Sequence, residues 1–191
     1  MTAQFHLEAI PLAGCLALAA LAMPGTTIAA DQTINFEGSV ITATCTFTAP
    51  NTVPLPKAMK SDLTGAVGKR GAGTSFTINV TNCNDGATPT PAVVDGKMKA
   101  LFKIDDKVDL NTGMLKNVAT GGKVADGVQL RLRNADNDSP IMVGDANTVH
   151  AFTLDTAGAA NLIYKVEYES SEATVTDGAV RGTVALDIAY E

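Results

Sequence analysis

Apolar and polar residues alternate most strictly at the end of the chain, in GAVRGTVALDIAYE, Gly178 to Glu191. Val184, Leu186, Ile188 and Tyr190 take every second position, with Thr183, Ala185, Asp187 and Ala189 between them. A period of two is that of a strand with one buried face. The pattern stops one residue after Tyr190. A strongly apolar strand at the margin of a sheet exposes unpaired N–H and C=O groups and needs a neighbour. The reading adopted is that another molecule supplies that neighbour.

The same period recurs upstream. TSFTINVTNC (74–83) places Phe76, Ile78 and Val80 on one face. VITATC, Val40 to Cys45, is rich in β-branched residues and predicts the first strand after a break at Gly38. MKALFKI (98–104), VQLRLR (128–133) and LIYKVEYE (162–169) predict further strands, with a weaker pair at Ile141–Val143 and Val149–Leu154. Turn-forming clusters separate them at 109–113, 120–123 and 134–140. Residues 46–73 hold Pro50, Pro54, Pro56, Gly65, Gly68, Gly71 and Gly73 and read mostly as loop, with at most a short strand or turn around Val53 to Met59. The polar strand positions, an ordinary mixture of Thr, Lys, Asn and Glu, read as solvent-facing. No segment sustains a helical period, so the pattern predicts an all-β sandwich.

Ahead of this domain, GTTIAADQTINF (25–36) is extended and amphipathic. Ile28, Ala30, Ile34 and Phe36 share one parity, with polar Gln32 in the same row. Two readings stand: a plain terminal tail, or a strand that completes another molecule's sheet. Still earlier, IPLAGCLALAALA (10–22) is an apolar run of thirteen residues. A membrane-crossing helix takes roughly 20. The run fits the core of a secretory signal, with Ala20-Leu21-Ala22 as the small-x-small cleavage pattern. Residues 1–9 carry no Lys or Arg, and a second cut could follow Ala30. Cleavage after Ala22 is the expectation.

Export changes how the cysteines are read. Cys15 lies inside the signal, which leaves Cys45 and Cys83 as an even pair, read as one disulfide rather than two buried thiols. The 191 residues suit a single domain after the leader, and no linker or internal repeat divides it. Trp is absent and aromatics make up 5%, so the core rests on Val, Ile, Leu, Ala and a few Phe and Tyr. A net charge of −6 excludes a nucleic-acid partner, which needs clustered Lys and Arg.

Candidate chemistry is thin. The only histidines are His6 and His150, and His150 reads as a strand residue. Asp105 to Gly113 is acidic but lacks the alternating ligands and distal Glu of a calcium loop, so it reads as a hairpin tip. No phosphate loop, dinucleotide fingerprint or zinc spacing occurs. The expectation is no catalytic residue, no metal and no cofactor.

Three stretches together resemble a known family. Thr33 to Val40 (TINFEGSV) running on to Cys45, Phe76 to Asn84 (FTINVTNCN), and the C-terminal strand with Gly178 fourteen residues from the end and Tyr190 penultimate are similar to chaperone–usher fimbrial subunits, above all the type 1 major pilin family. The resemblance implies an incomplete immunoglobulin-like β-sandwich, the pilin fold, lacking its final strand and completed by a donor strand from a neighbouring subunit. It implies a signal peptide at 1–22, a donor-strand extension at 23–36 and a pilin domain at 37–191. Ile28, Ala30, Ile34 and Phe36 would be the donor plugs. Gly178, Val184, Leu186, Ile188 and Tyr190 would line or border the acceptor groove and contact a periplasmic chaperone. The implied partners are neighbouring pilin subunits, that chaperone and an outer-membrane usher. The implied location is a fimbria on the cell surface, reached through the periplasm. A minor pilin or tip adapter is the alternative within the family, and a secreted carbohydrate-binding sandwich the alternative outside it.

Overall fold

The computed structural model describes residues 44–84 and 96–190. Two antiparallel sheets form from short strands, as the alternation predicts. The larger sheet has seven strands. They are β1 (Thr44–Thr48), β2 (Arg70–Asn84), β4 (Val108–Asp109), β5 (Met114–Leu115), β6 (Val128–Asn134), β7 (Pro140–Ile141) and β9 (Ala160–Ser170). Their order is β1-β2-β9-β6-β5-β4, with β7 also paired to β6. The smaller sheet has the order β10-β3-β8, from β3 (Lys97–Phe102), β8 (Phe152–Thr153) and β10 (Leu186–Tyr190). One helical turn, α1 (Lys60–Leu63), interrupts the stretch read as loop. β2 starts at Arg70 rather than Thr74, through an irregular register between Arg70 and Gly73. Residues 40–43 of the expected first strand lie outside the described residues, and β1 runs on to Thr48.

The core fills the space between the sheets. Ile78 and Val80 from β2, Leu130 and Leu132 from β6, and Leu162, Tyr164 and Val166 from β9 are buried together with Met98, Ala100 and Phe102 from β3. Tyr164 binds the layers to each other. Its ring lies 5.3 Å from that of Phe102 and 5.6 Å from that of Phe152, both edge-on, a favoured aromatic geometry. Its hydroxyl accepts a hydrogen bond of 3.0 Å from the Ala100 N–H across the core. Burial pushes the Tyr164 phenol up to about 12, so it stays a neutral bonding group at any ordinary pH.

The outer face of β6 and β9 does not follow the simple reading. Arg131, Arg133, Glu167 and Glu169 are all buried. Arg131 with Glu169 at 3.0 Å and Arg133 with Glu167 pair along the diagonals of the β6–β9 ladder, and Arg133 also reaches past Glu167 to Glu169 at 3.1 Å. Arg70 from β2 reaches Glu167 at 2.6 Å, and Lys165 reaches it at 3.1 Å. The turn after β6 covers the cluster, with Asp138 bonded to both Arg70 and Lys165 and its carbonyl accepting from Arg133. Burial alone would raise the Glu167 carboxyl, but Arg70, Lys165 and Arg133 outweigh it and hold the group below its ordinary value.

The Cys45–Cys83 disulfide ties β1 to β2 across 38 residues of sequence. On the chain-entropy model a loop of that size is worth about 4 kcal/mol. It fixes the point from which residues 49–59 leave the sheet.

Replacing Glu167 by Ala takes a buried partner from Arg70, Arg133 and Lys165 together, leaving Asp138 and Glu169 to them, and should cost about 3 kcal/mol in urea unfolding. Asp177→Ala, which breaks only the exposed Lys123–Asp177 pair, should leave the urea midpoint unchanged. Since the folded-state carboxyl of Glu167 is depressed, its contribution is present above the unfolded value of about 4.3 and is lost as pH falls below it. Stability measured against pH should therefore drop on acidification, less steeply in Glu167→Gln.

Candidate functional site

The alternating C-terminal residues form the marginal strand of the small sheet. β10 pairs with β3 in the register Leu186↔Phe102 through Tyr190↔Met98. The Lys103 N–H donates to the Ala185 carbonyl at 2.8 Å, which extends the ladder backwards. In an antiparallel strand the backbone groups of successive residues point to opposite sides. With Ala185 turned toward β3, the N–H and C=O of Val184, Leu186 and Ile188 point the other way. Among the described residues no strand lies on that side. Their side chains turn inward and pack against the core while staying partly exposed. Tyr190, at the far end, is 38% exposed.

Facing β10 across a gap is the segment 49–58. Among the described residues its backbone makes no backbone hydrogen bond. Pro50, Pro54 and Pro56 keep it extended and out of a helix, and Ala49, Val53 and Leu55 turn in toward the core. Between the two walls lies a groove of about 510 Å³. Its floor is Phe76, Phe102, Leu115, Leu130, Leu132, Val166 and Tyr168. The main chain passes close over this floor at Gly182, where a Cβ would stand 2.9 Å from Leu130 Cδ1. An apolar floor between two backbones with unused hydrogen-bonding groups has the form of a slot for one extended strand.

Of the residues named from sequence, Val184 and Leu186 line the groove, and Ile188 and Tyr190 continue their row along β10. Gly178 sits elsewhere. Its backbone lies against Lys123–Ala125, where Ala179 N–H donates to Lys123 C=O at 2.8 Å and Ala125 N–H to Ala179 C=O at 3.1 Å. A Cβ there would be 2.4 Å from Ala125 N. Gly178 borders a second cavity of about 340 Å³, floored by Leu63, Ala125, Val128 and Val175. Tyr168 and Val180 line both cavities, and burial raises the Tyr168 phenol. Ile28, Ala30, Ile34 and Phe36 lie outside the described residues. Sequence reading allowed a short strand or turn around Val53 to Met59 but did not assign 49–58 as the opposite wall; its signal was Val53 and Leu55, each followed by a proline.

His150 and the Asp105–Gly113 segment have structural partners. His150 lies between the turn at Ala146–Thr148 and β8, with its ring on Asp136 at 2.8 Å and its N–H donating to Asn134 Oδ1 at 2.8 Å. That contact holds the Asp136 carboxyl below its ordinary value. Asp105 to Gly113 carries the tight β4–β5 hairpin, with Asp109 accepting from Asn111 N–H at 3.0 Å. Among the described residues no group of three or more His, Cys, Asp or Glu could hold a metal ion.

A two-sheet antiparallel sandwich with an open slot beside its last strand defines an incomplete immunoglobulin-like domain of the pilin class. The family model described as "Fimbrial protein" matches residues 34–191, and the chain belongs to that family. It is 34% identical to the F17 fimbrial protein of Escherichia coli over 182 residues, which cover 92% of this chain and 96% of that protein. It is 36% identical to the major fimbrial subunit SMF-1 of Stenotrophomonas maltophilia strain K279a over 173 residues, 85% of this chain and 94% of the relative. The crystal structure of the P pilus rod subunit PapA aligns with a TM-score of 0.55 at 22% identity, covering 77% of this chain and 99% of that one, and it supports the fold.

Gly178→Ala should force Lys123–Ala125 away from the C-terminal segment and cost about 1–3 kcal/mol. Urea unfolding of the purified, oxidised protein would measure the loss.

Proposed function

We propose that this chain is a structural subunit of a bacterial fimbria, and that its groove is filled by the N-terminal extension of the next copy. The observation that carries the proposal is the slot itself: an apolar floor flanked by the free sides of β10 and 49–58. An inserted strand would satisfy both backbones and cover the floor, at about 25 cal/mol per Å² of apolar surface removed from water. This is strand addition, in which main-chain bonds give affinity and alternate side chains give specificity.

Residues 23–36 suit the role of donor. Fourteen residues extend about 46 Å at 3.3 Å each, while the eleven from Val180 to Tyr190 need about 36 Å. Ile28, Ala30, Ile34 and Phe36 supply plugs at alternate positions. Donor and acceptor surfaces differ, so the contact is head-to-tail and generates an open filament. On this reading residues 1–22 are removed on export. A periplasmic chaperone covers the groove until an outer-membrane usher passes the subunit to the growing fimbria. The protein has a structural rather than a catalytic role. The description of SMF-1 as a major fimbrial subunit favours a rod subunit over a tip adapter.

Deleting residues 23–36 should leave a subunit that is exported and occupies the chaperone but adds no further copy. Filaments seen by electron microscopy and the ladder of heat-labile oligomers on gels would both disappear; normal filaments would overturn the donor assignment. Tyr190→Asp should lower chaperone co-purification and periplasmic yield, and an unchanged yield would remove Tyr190 from the contact.

A further inference from the structure

We infer that Arg181 of one subunit and Glu37 of the next form an ion pair across the groove wall, and that this pair fixes the register of the inserted strand. The inference rests on the donor-strand reading above.

Arg181 differs from the other arginines. Arg70, Arg131 and Arg133 are each bonded to carboxylates in the network on β6 and β9. Arg181 lines the groove and is exposed. Its backbone is held firmly: its N–H donates to Asn117 Oδ1 at 2.9 Å, and its carbonyl accepts from Val118 N–H at 2.8 Å. Among the described residues its guanidinium has no hydrogen-bond or ion-pair partner. A cation fixed on a docking wall without a partner of its own invites a carboxylate from the occupant.

The occupant offers one at the right parity. Along the wall, Gly182, Val184, Leu186 and Ile188 turn inward, and Arg181, Thr183, Ala185 and Asp187 outward. In the extension, the positions between the plugs are Ala29, Asp31, Thr33, Asn35 and Glu37. When two strands lie side by side, residues on the same face become cross-strand neighbours. Either Asp31 or Glu37 could then face Arg181, and the two choices imply opposite strand directions.

Packing decides between them. Antiparallel insertion with Glu37 opposite Arg181 sets Phe36 against Gly182, where the wall has no side chain and the floor is Leu115 and Leu130. Ile34 then faces Val184, and Ala30 faces Ile188. Asp31 falls opposite Asp187, whose charge Lys103 already balances at 2.6 Å. Gln32 faces inward in both cases, opposite Leu186 or Gly182, but parallel insertion with Asp31 at Arg181 carries Ile28 past the groove to Gly178, whereas the antiparallel register keeps it on the wall, opposite Tyr190. A slip of two residues from the antiparallel register makes Glu37 and Arg181 diagonal rather than direct neighbours, which lengthens and weakens the pair and also takes Phe36 off Gly182.

Charge exchange in the full chain tests the pair, with filament extension and the oligomer ladder as readouts. Glu37→Lys and Arg181→Glu should each slow assembly about three-fold or more. The double variant should recover the wild-type rate. Raising ionic strength should slow the wild type more than Glu37→Gln or Arg181→Gln, since only the former has an ion pair to screen. Urea unfolding of the purified, oxidised Arg181 variants should keep the wild-type midpoint, because the contacts that hold Arg181 in place are made by its backbone. Single variants that assemble like wild type, or a double no better than the singles, would overturn the pair. If the subunit lacking 23–36 fails to extend while Glu37→Lys extends normally, only the pair falls. If the truncated subunit extends normally, the donor-strand reading falls with it.

Discussion

The N–H and C=O groups of Val184, Leu186 and Ile188 point away from β3 into a space where the described residues offer no strand to meet them. Across that space, 49–58 carries a second row of backbone groups without backbone partners among the described residues. Satisfying both rows in a dry setting takes a single strand of matching length, and the apolar floor requires that strand to alternate. Most of the other features of the domain can be read as ways of keeping this slot open and in shape. The disulfide fixes where one wall leaves the sheet, prolines keep that wall extended, and Gly182 brings the other wall down onto the floor.

A slot of this kind is useful only if the body around it stays rigid, and the body is tied in two places. Inside, the Tyr164 hydroxyl reaches the backbone of β3, so the small sheet that carries β10 is joined to the large one by more than apolar contact. Outside, the carboxylates of Glu167 and Glu169 link β2, β6 and β9 to the turn at Asp138. Buried ion pairs are costly to desolvate and add modest net stability, but removing one partner is strongly unfavourable. Such a network resists rearrangement of the sheet that forms much of the groove floor.

How far the sequence revealed this depends on the residue. The row from Val184 to Tyr190 was legible because strict alternation has one simple meaning. The parity of Phe76, Ile78 and Val80 and the pairing of Cys45 with Cys83 were legible for the same reason: few other arrangements suit those residues. Arg131, Arg133, Glu167 and Glu169 were not, because a charged residue on the second face of a strand normally meets water, and only the turn after β6 determines that these do not. The wall at 49–58 was read mostly as loop because prolines and isolated apolar residues carry no period of their own. Gly178 was visible as a position but not as a role. The close approach of Lys123–Ala125 is a contact between segments over fifty residues apart, and nothing local encodes it. The two-residue strands β4, β5, β7 and β8 fall below the length at which alternation can be seen at all.

Net charge bears on how such subunits meet. Each chain is acidic, so bringing copies together works against a weak mutual repulsion. At physiological salt that repulsion fades within about 8 Å, and what remains is set by contacts inside the groove. Apolar plugs on a strand of period two supply affinity but discriminate poorly between registers two residues apart, since each slip presents another apolar side chain to each pocket. Register must come from features that do not repeat along the strand. Gly182, the lone inward position on this wall without a side chain, is one such feature, and the charge of Arg181 beside it, unmatched among the described residues, is a second. Placed next to each other at one end of the slot, they give a uniform groove a distinguishable end. A head-to-tail polymer needs that asymmetry if every subunit is to enter in the same way.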